Sequence, residues 1–413
     1  MNFNLIKQSY TEVNFLGTKL FITDNEKLQT ENEFSELVDL YQLPLLEKDE
    51  LVQDPMDIVP PRYLPLLYRG ELIRNDTSGS TGKYMEIYWR RQDYMRSMYS
   101  LWFYRKRFYG INTWDKMCRF STISQIGPIE ELSRYTRTGL EFSKSNLSEE
   151  RLLDIYREMQ EYQPVWLLLQ PCIAELLCYI KRKHDLPAIA SIKYIEMTGE
   201  ELTEELREQI KECFLCPVAN QYGANEVNSI AYECPEGNMH CMEDNVFVEI
   251  LDDNGNPLPE GSTGNIYVTT LHNYVMPFIR YGIGDIGFLE KNTCSCGHKG
   301  RILHLKSGRK DDWILTQDGQ KITPYVFVRA VVAVNAVYDR CIFQFRIVQH
   351  SYSSFTVILA VDDVADEITQ CFIENIGHAE LREAEYEFIF CERLFPEING
   401  KRKFFECKIG KED

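Results

Sequence analysis

Between residues 165 and 222 the chain alternates short apolar runs with amphipathic ones, and no other feature narrows the fold as much. The run "VWLLL" (165–169) is continuously apolar, as a strand buried on both faces must be. Pro171 follows, well placed for the first turn of a helix, where its missing N–H costs nothing. Ile173, Leu176, Leu177 and Ile180 then form one apolar stripe. "IKYIEM" (192–197) reads as a second strand and "PVANQY" (217–222) as a third. Between them Thr203 is placed to cap a helix with Leu206, Ile210 and Cys213 on its inner face. Upstream, "LSEERLLDIYREM" (147–159) reads as an amphipathic helix capped by Ser148. Strand–helix–strand–helix–strand predicts an α/β fold with a mainly parallel sheet flanked by helices. Such sheets bind ligands beyond the carboxyl ends of their strands. Two turns fall there, "TGEE" (198–201) and "YGANE" (222–226).

After about residue 245 the texture changes to strands and turns, which predicts a β-rich subdomain over about 245–306. A boundary is expected near "SGRKDD", giving an N-terminal core over 1–307 and a small α+β domain over 308–413. In the latter, "FQFRIV" and "FTVILAV" are expected to pair, "EYEFIF" supplies another strand, and one helix covers about 364–377.

The charge balance, 45 basic against 63 acidic residues, gives −18. This disfavours non-specific binding to nucleic acid or anionic membrane, while leaving room for a local phosphate pocket. The N-terminus lacks a signal-peptide pattern, and the most apolar segment is broken by Gln170, Pro171 and Glu175. A cytoplasmic protein is expected. The 13 cysteines are then read as thiols and a metal site rather than disulfides.

The stretch "TSGSTGK" (77–83) is too rich in glycine and hydroxyls to serve a core. It is not a Walker loop, because Thr77 stands where the first glycine should be and Tyr84 follows Lys83. Together with "YGANE", "RYGIGD" (280–285), "GRKDD" (308–312) and "NGKRK" (399–403), in that order, it resembles the adenylate-forming enzymes. The similarity is greatest to the phenylacetate–CoA ligase branch, with its capsule-biosynthesis and coenzyme F390 synthetase-like members.

That resemblance implies activation of a carboxylic acid by ATP to acyl-AMP, then transfer to a thiol. It places Thr77, Ser78, Gly79, Ser80, Thr81 and Gly82 over the ATP phosphates, where backbone N–H groups and hydroxyls bind oxygen. Tyr222 and Gly223 would border adenine, Glu226 would hold Mg²⁺, and Asn225 stands where many relatives have Thr. Glu200 joins the nucleotide set; Asp285 would accept from the ribose hydroxyls, and Arg309 would contact ribose or phosphate. Gly282 and Ile283 replace the Arg-Thr common in the branch. Asp311 resembles the hinge about which a mobile C-terminal domain turns, and Lys401, with Lys403 as runner-up, the adenylation lysine. Ile126, Gly127 and Gln170 are candidates for the acid pocket, an aryl acid being the first expectation. The acceptor is CoA or the phosphopantetheine of a carrier protein; a non-catalytic nucleotide-binding relative is the rival reading, and a homodimer is left open.

Independently, "CPEGNMH" and "CSCG" offer Cys234, His240, Cys294 and Cys296, three thiolates and one imidazole suited to structural Zn²⁺. Cys241 and His298 are substitutes for one ligand.

Overall fold

The computed structural model describes residues 43–48, 51, 55–76, 85–121, 132–143, 147–309, 314–317, 321–322, 324–338, 341–361, 367–392, 394 and 404–409. The chain forms two units, each with its own sheet and core. The larger draws its described residues from 43–283 and 287–305, the smaller from 284–286, 306–394 and 404–409. Among the described residues no helix is long and apolar enough to cross a membrane.

In chain order the strands are β1 (Ile73–Asp76), β2 (Glu86–Trp89), β3 (Met117–Ser121), β4 (Ser133–Tyr135), β5 (Gly139–Ser143), β6 (Trp166–Leu169), β7 (Tyr194–Thr198), β8 (Val218–Ala224), β9 (Asn228–Glu233), β10 (Met239–Cys241), β11 (Val246–Leu251), β12 (Gly264–Thr270), β13 (Tyr281–Glu290) and β14 (Ile302–Arg309). Helix α1 (Leu64–Tyr68) precedes β1, and helices α2 (Arg91–Ser97), α3 (Tyr99–Tyr109), α4 (Glu149–Tyr162), α5 (Pro171–Lys183) and α6 (Glu204–Phe214) fall between the strands. Twelve strands form one sheet, in the order β11-β12-β13-β14-β10-β9-β8-β7-β6-β3-β5-β4.

The expected βαβ units are present. β6, β7 and β8 run parallel, with Leu169 beside Met197 and Thr198 beside Gln221. Both expected caps form: the Ser148 hydroxyl accepts from the Arg151 N–H, and the Thr203 hydroxyl from the Leu206 N–H. Pro171 opens α5. Alternate residues serve opposite faces, as strand geometry requires. Leu167, Leu169, Ile195 and Met197 face a core shared with α4, α5 and α6. Trp166 and Tyr194 face the other side, among the residues of α3.

The sheet is mixed rather than mainly parallel. β8 turns back at residues 225–227 into antiparallel β9, and β10 and β14 extend the same ladder. The β-rich region over 245–306 contributes β11 to β14 to the same sheet. A three-residue reversal cannot make a crossover, so antiparallel pairing is the only geometry open to β9.

The smaller unit holds a four-stranded sheet, with β15 (Ile314–Leu315) and β16 (Lys321–Ile322) as a separate short pair. Helix α7 (Tyr325–Val337) precedes β17 (Ile342–Ser351) and β18 (Ser354–Val361), which pair antiparallel around their turn as expected. Helix α8 (Glu367–Glu374) leads to β19 (Glu385–Cys391), which joins β18 in parallel, and β20 (Phe405–Cys407) joins β17. Helix α7 had no counterpart in the sequence reading. Its run "VFVRAVVAVNAV" is β-branched and apolar on most sides, so its helical period is blurred.

Candidate functional site

The carboxyl ends of β6, β7 and β8 bring three turns side by side. Gln170 follows β6 in extended backbone as the residue before α5. Gly199 follows β7 with φ +85°, and a Cβ there would sit 3.7 Å from Gln170 Cγ. Glu200 reaches across this edge: its carboxylate accepts from the Cys172 backbone N–H at 3.0 Å and from the Cys172 thiol at 3.2 Å. A carboxylate is well placed there, where the first N–H groups of α5 lack partners within the helix. The Thr198 hydroxyl donates to Gln221 Oε1 at 2.7 Å, which ties β7 to β8.

Tyr222 and Gly223 occupy an irregular stretch of β8, where the pairing with β9 shifts register. Gly223 is required by space. A Cβ would be driven into the Asn228 carbonyl and would lie 2.6 Å from Gln221 Nε2. The turn that follows exposes Asn225 and buries Glu226, which is only 5% accessible. Tyr281 donates its hydroxyl to Glu226 Oε1 at 3.0 Å, and Lys48 Nζ lies 3.5 Å from the same oxygen. Among the described residues no hydrogen bond to Oε2 is present. A hard, anionic oxygen with one lone-pair face open suits Mg²⁺ beside phosphate.

Lys48 and Tyr281 were missed in the sequence. Leu46 bridges Tyr281, with Leu46 N–H donating to the Arg280 carbonyl (3.0 Å) and Gly282 N–H to the Leu46 carbonyl (2.9 Å). No local pattern in "LPLLEKDEL" signals such a distant partner.

Asp285 lies on β13 and Arg309 ends β14. The β1–β2 hairpin flanks the Ser/Thr/Gly stretch, with Asp76 paired to Glu86. Thr77, Ser78, Gly79, Ser80, Thr81, Gly82, Ile126, Gly127, Asp311, Lys401 and Lys403 lie outside the described residues.

A second site stands apart from these turns. Cys234, His240, Cys294 and Cys296 converge so that their ligand atoms all lie within 4.8 Å of one another. Cys234 Sγ is 3.7 Å from Cys294 Sγ, and Cys296 Sγ is 3.3 Å from His240 Nε2. Metal–ligand lengths of ~2.3 Å to sulfur and ~2.0 Å to nitrogen give tetrahedral edges of roughly 3.8 and 3.5 Å, so the cluster has the right size for Zn²⁺. His240 Nδ1 lies 3.1 Å from the Gly300 carbonyl, which assigns the proton to Nδ1 and leaves the Nε2 lone pair for a metal. Asn238 Nδ2 donates to Cys294 Sγ and the His298 N–H donates to Cys296 Sγ, both suited to a thiolate.

The two substitutes fall away. Cys241 is buried in the hydrophobic core, and His298 Nδ1 accepts from the Gly300 N–H. His298 instead packs its ring between His240 (4.7 Å) and Tyr104 of α3 (3.9 Å). Burial, with His240 and Arg107 nearby, lowers its pKa to about 3 and keeps it neutral.

Cys234 follows β9, which runs back from the ligand edge, so the cluster sits at the amino-terminal edge of β8. The seven residues of β8 (Val218–Ala224) separate the two edges by about 20 Å at ~3.3 Å per residue.

The AMP-binding enzyme family profile matches residues 77–277, which contain β3 to β12 and the turns at Gln170, Glu200 and Tyr222. Just under half of the chain thus matches the AMP-binding, adenylate-forming superfamily. Among its relatives, the phenylacetate-coenzyme A ligase of Thermus thermophilus is 31% identical over 185 residues, 43% of this chain and 41% of that enzyme. The match thus spans about two fifths of that relative's length. Protein CapK of Staphylococcus aureus is 24% identical over 385 residues, 89% of this chain and 80% of CapK. The fold is similar to that of a 2-hydroxyisobutyryl-CoA ligase in the postadenylation state (TM-score 0.75, 17% identity, 98% of this chain and 88% of that one). It is also similar to an anthranilate CoA ligase bound to anthranoyl-AMP (TM-score 0.58, 14% identity, 79% and 65%).

Proposed function

We propose that the protein is an AMP-forming acid–thiol ligase. A substrate carboxylate oxygen would attack the α-phosphorus of ATP, expelling pyrophosphate and leaving an acyl-AMP. A thiol would then attack the acyl carbon, forming the thioester as AMP departs. The observation that carries this reading is the alignment of three turns, at Gln170, Gly199–Glu200 and Tyr222–Glu226, on adjacent carboxyl ends of a parallel sheet, within the AMP-binding match.

In this reading Tyr222 and Gly223 border the adenine, with Asn225 and the 77–82 stretch toward the phosphates. Asp285 and Arg309 take the ribose, Lys401 stabilises charge during adenylation, and Asp311 is the hinge. Glu226 would hold Mg²⁺ through Oε2, while Tyr281 fixes the carboxylate through Oε1. Bound there, the cation would neutralise phosphate charge. Gln170, with Ile126 and Gly127, borders the acid, and an aryl acid is the first substrate class to test. The likeness to phenylacetate-coenzyme A ligase supports CoA as acceptor.

The test is pyrophosphate release across a panel of aryl, hydroxy and medium-chain carboxylic acids, with CoA and a phosphopantetheinylated carrier protein compared as acceptors. At least one acid should stimulate release, and Lys401→Ala should abolish it. ATP binding with no acid-dependent release would favour a non-catalytic relative.

We also propose that Cys234, His240, Cys294 and Cys296 bind a structural Zn²⁺. Four protein ligands leave no open position for substrate. Near-stoichiometric zinc in purified protein is expected, and its absence would defeat the assignment.

A further inference from the structure

We propose that Lys48 is the resident counter-ion of Glu226 and competes with the divalent cation for that carboxylate. This rests on the reading of Glu226 as the cation's ligand. Lys48 belongs to the segment 43–48, which lies outside the stretch matched by the family profile.

The segment is fixed rather than draped. Leu46 is buried and makes two backbone hydrogen bonds across β13. Arg280, itself buried, donates from Nη1 to the Leu43 carbonyl at 2.8 Å. Glu47 accepts from the Tyr267 hydroxyl at 2.5 Å on one side of the segment. Lys48, the next residue, carries its ammonium to within 3.5 Å of Glu226 Oε1.

Gly282 permits this docking. A Cβ there would lie 3.0 Å from Glu47 Oε2 and 3.1 Å from Tyr267 Cε1. A larger side chain there would have to displace the Glu47 carboxylate or the Tyr267 ring.

The charges decide what Lys48 does. Glu226 has 7% of its side chain accessible, and burying an unpaired carboxylate is costly. Tyr281 supplies a hydrogen bond but no charge. Lys48, 30% accessible, supplies the charge while keeping its ammonium partly hydrated, so it can yield when a stronger cation arrives.

A partly exposed pair of this kind is worth little, so its removal should be visible but small. Mn²⁺ binding is measured by loss of the free-ion EPR signal, with a saturating non-hydrolysable ATP analogue present. Lys48→Met should tighten Mn²⁺ binding about two- to five-fold, and Lys48→Arg should change it less than about two-fold. Lys48→Gln is the second neutral variant should Lys48→Met fold poorly, with the same tightening expected. Unchanged or weaker Mn²⁺ binding in the neutral variants, beside a normal wild-type response, would overturn the role of Lys48 alone. Equal Mn²⁺ binding by wild type and Glu226→Gln would overturn the reading of Glu226 and the competition together.

Discussion

The link between α3 and the sheet makes a sharp stability prediction. Arg105 and Glu196 are both buried, and Arg105 Nε donates to Glu196 Oε2 at 2.8 Å, with a second bond from Nη2 to Oε1. The guanidinium lies over Trp102 at 4.6 Å and Trp166 at 5.0 Å. Tyr194 donates to Glu196 Oε2 at 3.2 Å and shares a hydrogen bond with Tyr232. Glu196→Gln would leave a buried guanidinium without its counter-charge, a loss of about 3–5 kcal/mol. Arg105→Met alone should cost a similar amount by stranding the carboxylate. The double variant Arg105→Met/Glu196→Met removes both charges and should lie within about 2 kcal/mol of wild type, because no charge is left to solvate. At roughly 2 °C per kcal/mol for a unit this large, each single variant should melt about 6–10 °C lower. Thermal unfolding followed by tryptophan fluorescence reads this directly. A Glu196→Gln loss under about 1 kcal/mol, or a double variant as damaged as the sum of the singles, would refute the reasoning.

Other consequences follow from single positions. Gly223→Ala should destabilise the larger unit by about 1–3 kcal/mol through overpacking against Asn228 and Gln221, measured by urea titration. Gly297, with φ +80° and the Arg107 guanidinium where a Cβ would go, closes the Cys294–Cys296 turn, so Gly297→Ala should lower zinc content on metal analysis. Burial pushes the Glu141 carboxyl up, but bonds and charge from Arg134 and Arg119 outweigh it and hold the group below the usual carboxylate range. Its stabilising effect is therefore complete above the unfolded value near 4.5 and fades as pH falls through the lower folded value. Glu141→Gln should unfold more readily in urea at pH 7 and lose less stability than wild type on acidification.

Much of this was legible because it rested on local pattern. Ser148, Thr203 and Pro171 mark helix starts by chemistry that acts within one turn, and each does so in the structure. The run at 165–169 reads as a strand because only burial on both faces suits it. The convergence of Cys234, His240, Cys294 and Cys296 was readable for another reason: thiol and imidazole are scarce side chains, and two short turns already held them in pairs.

What escaped reading depends on distance. Residues 228–233 are buried along almost the whole of β9, so no polar alternation announced a strand that turns the sheet from parallel to antiparallel. Arg105 reads as one of three consecutive basic residues in "RKR", and only the packing of α3 shows that it is buried while its neighbours are not. Lys48 meets Glu226 only because Leu46 bridges Tyr281, a pairing no local pattern encodes. Gly282 looked like a departure from the branch pattern; in the structure it packs closely against the Glu47 and Tyr267 side chains.

The most direct test is a crystal structure of the protein with a non-hydrolysable ATP analogue and Mg²⁺. The account predicts adenine against Tyr222 and the cation within coordination distance of Glu226 Oε2, at the carboxyl edge of β6, β7 and β8. A nucleotide bound elsewhere, touching neither Tyr222 nor Glu226, would contradict it.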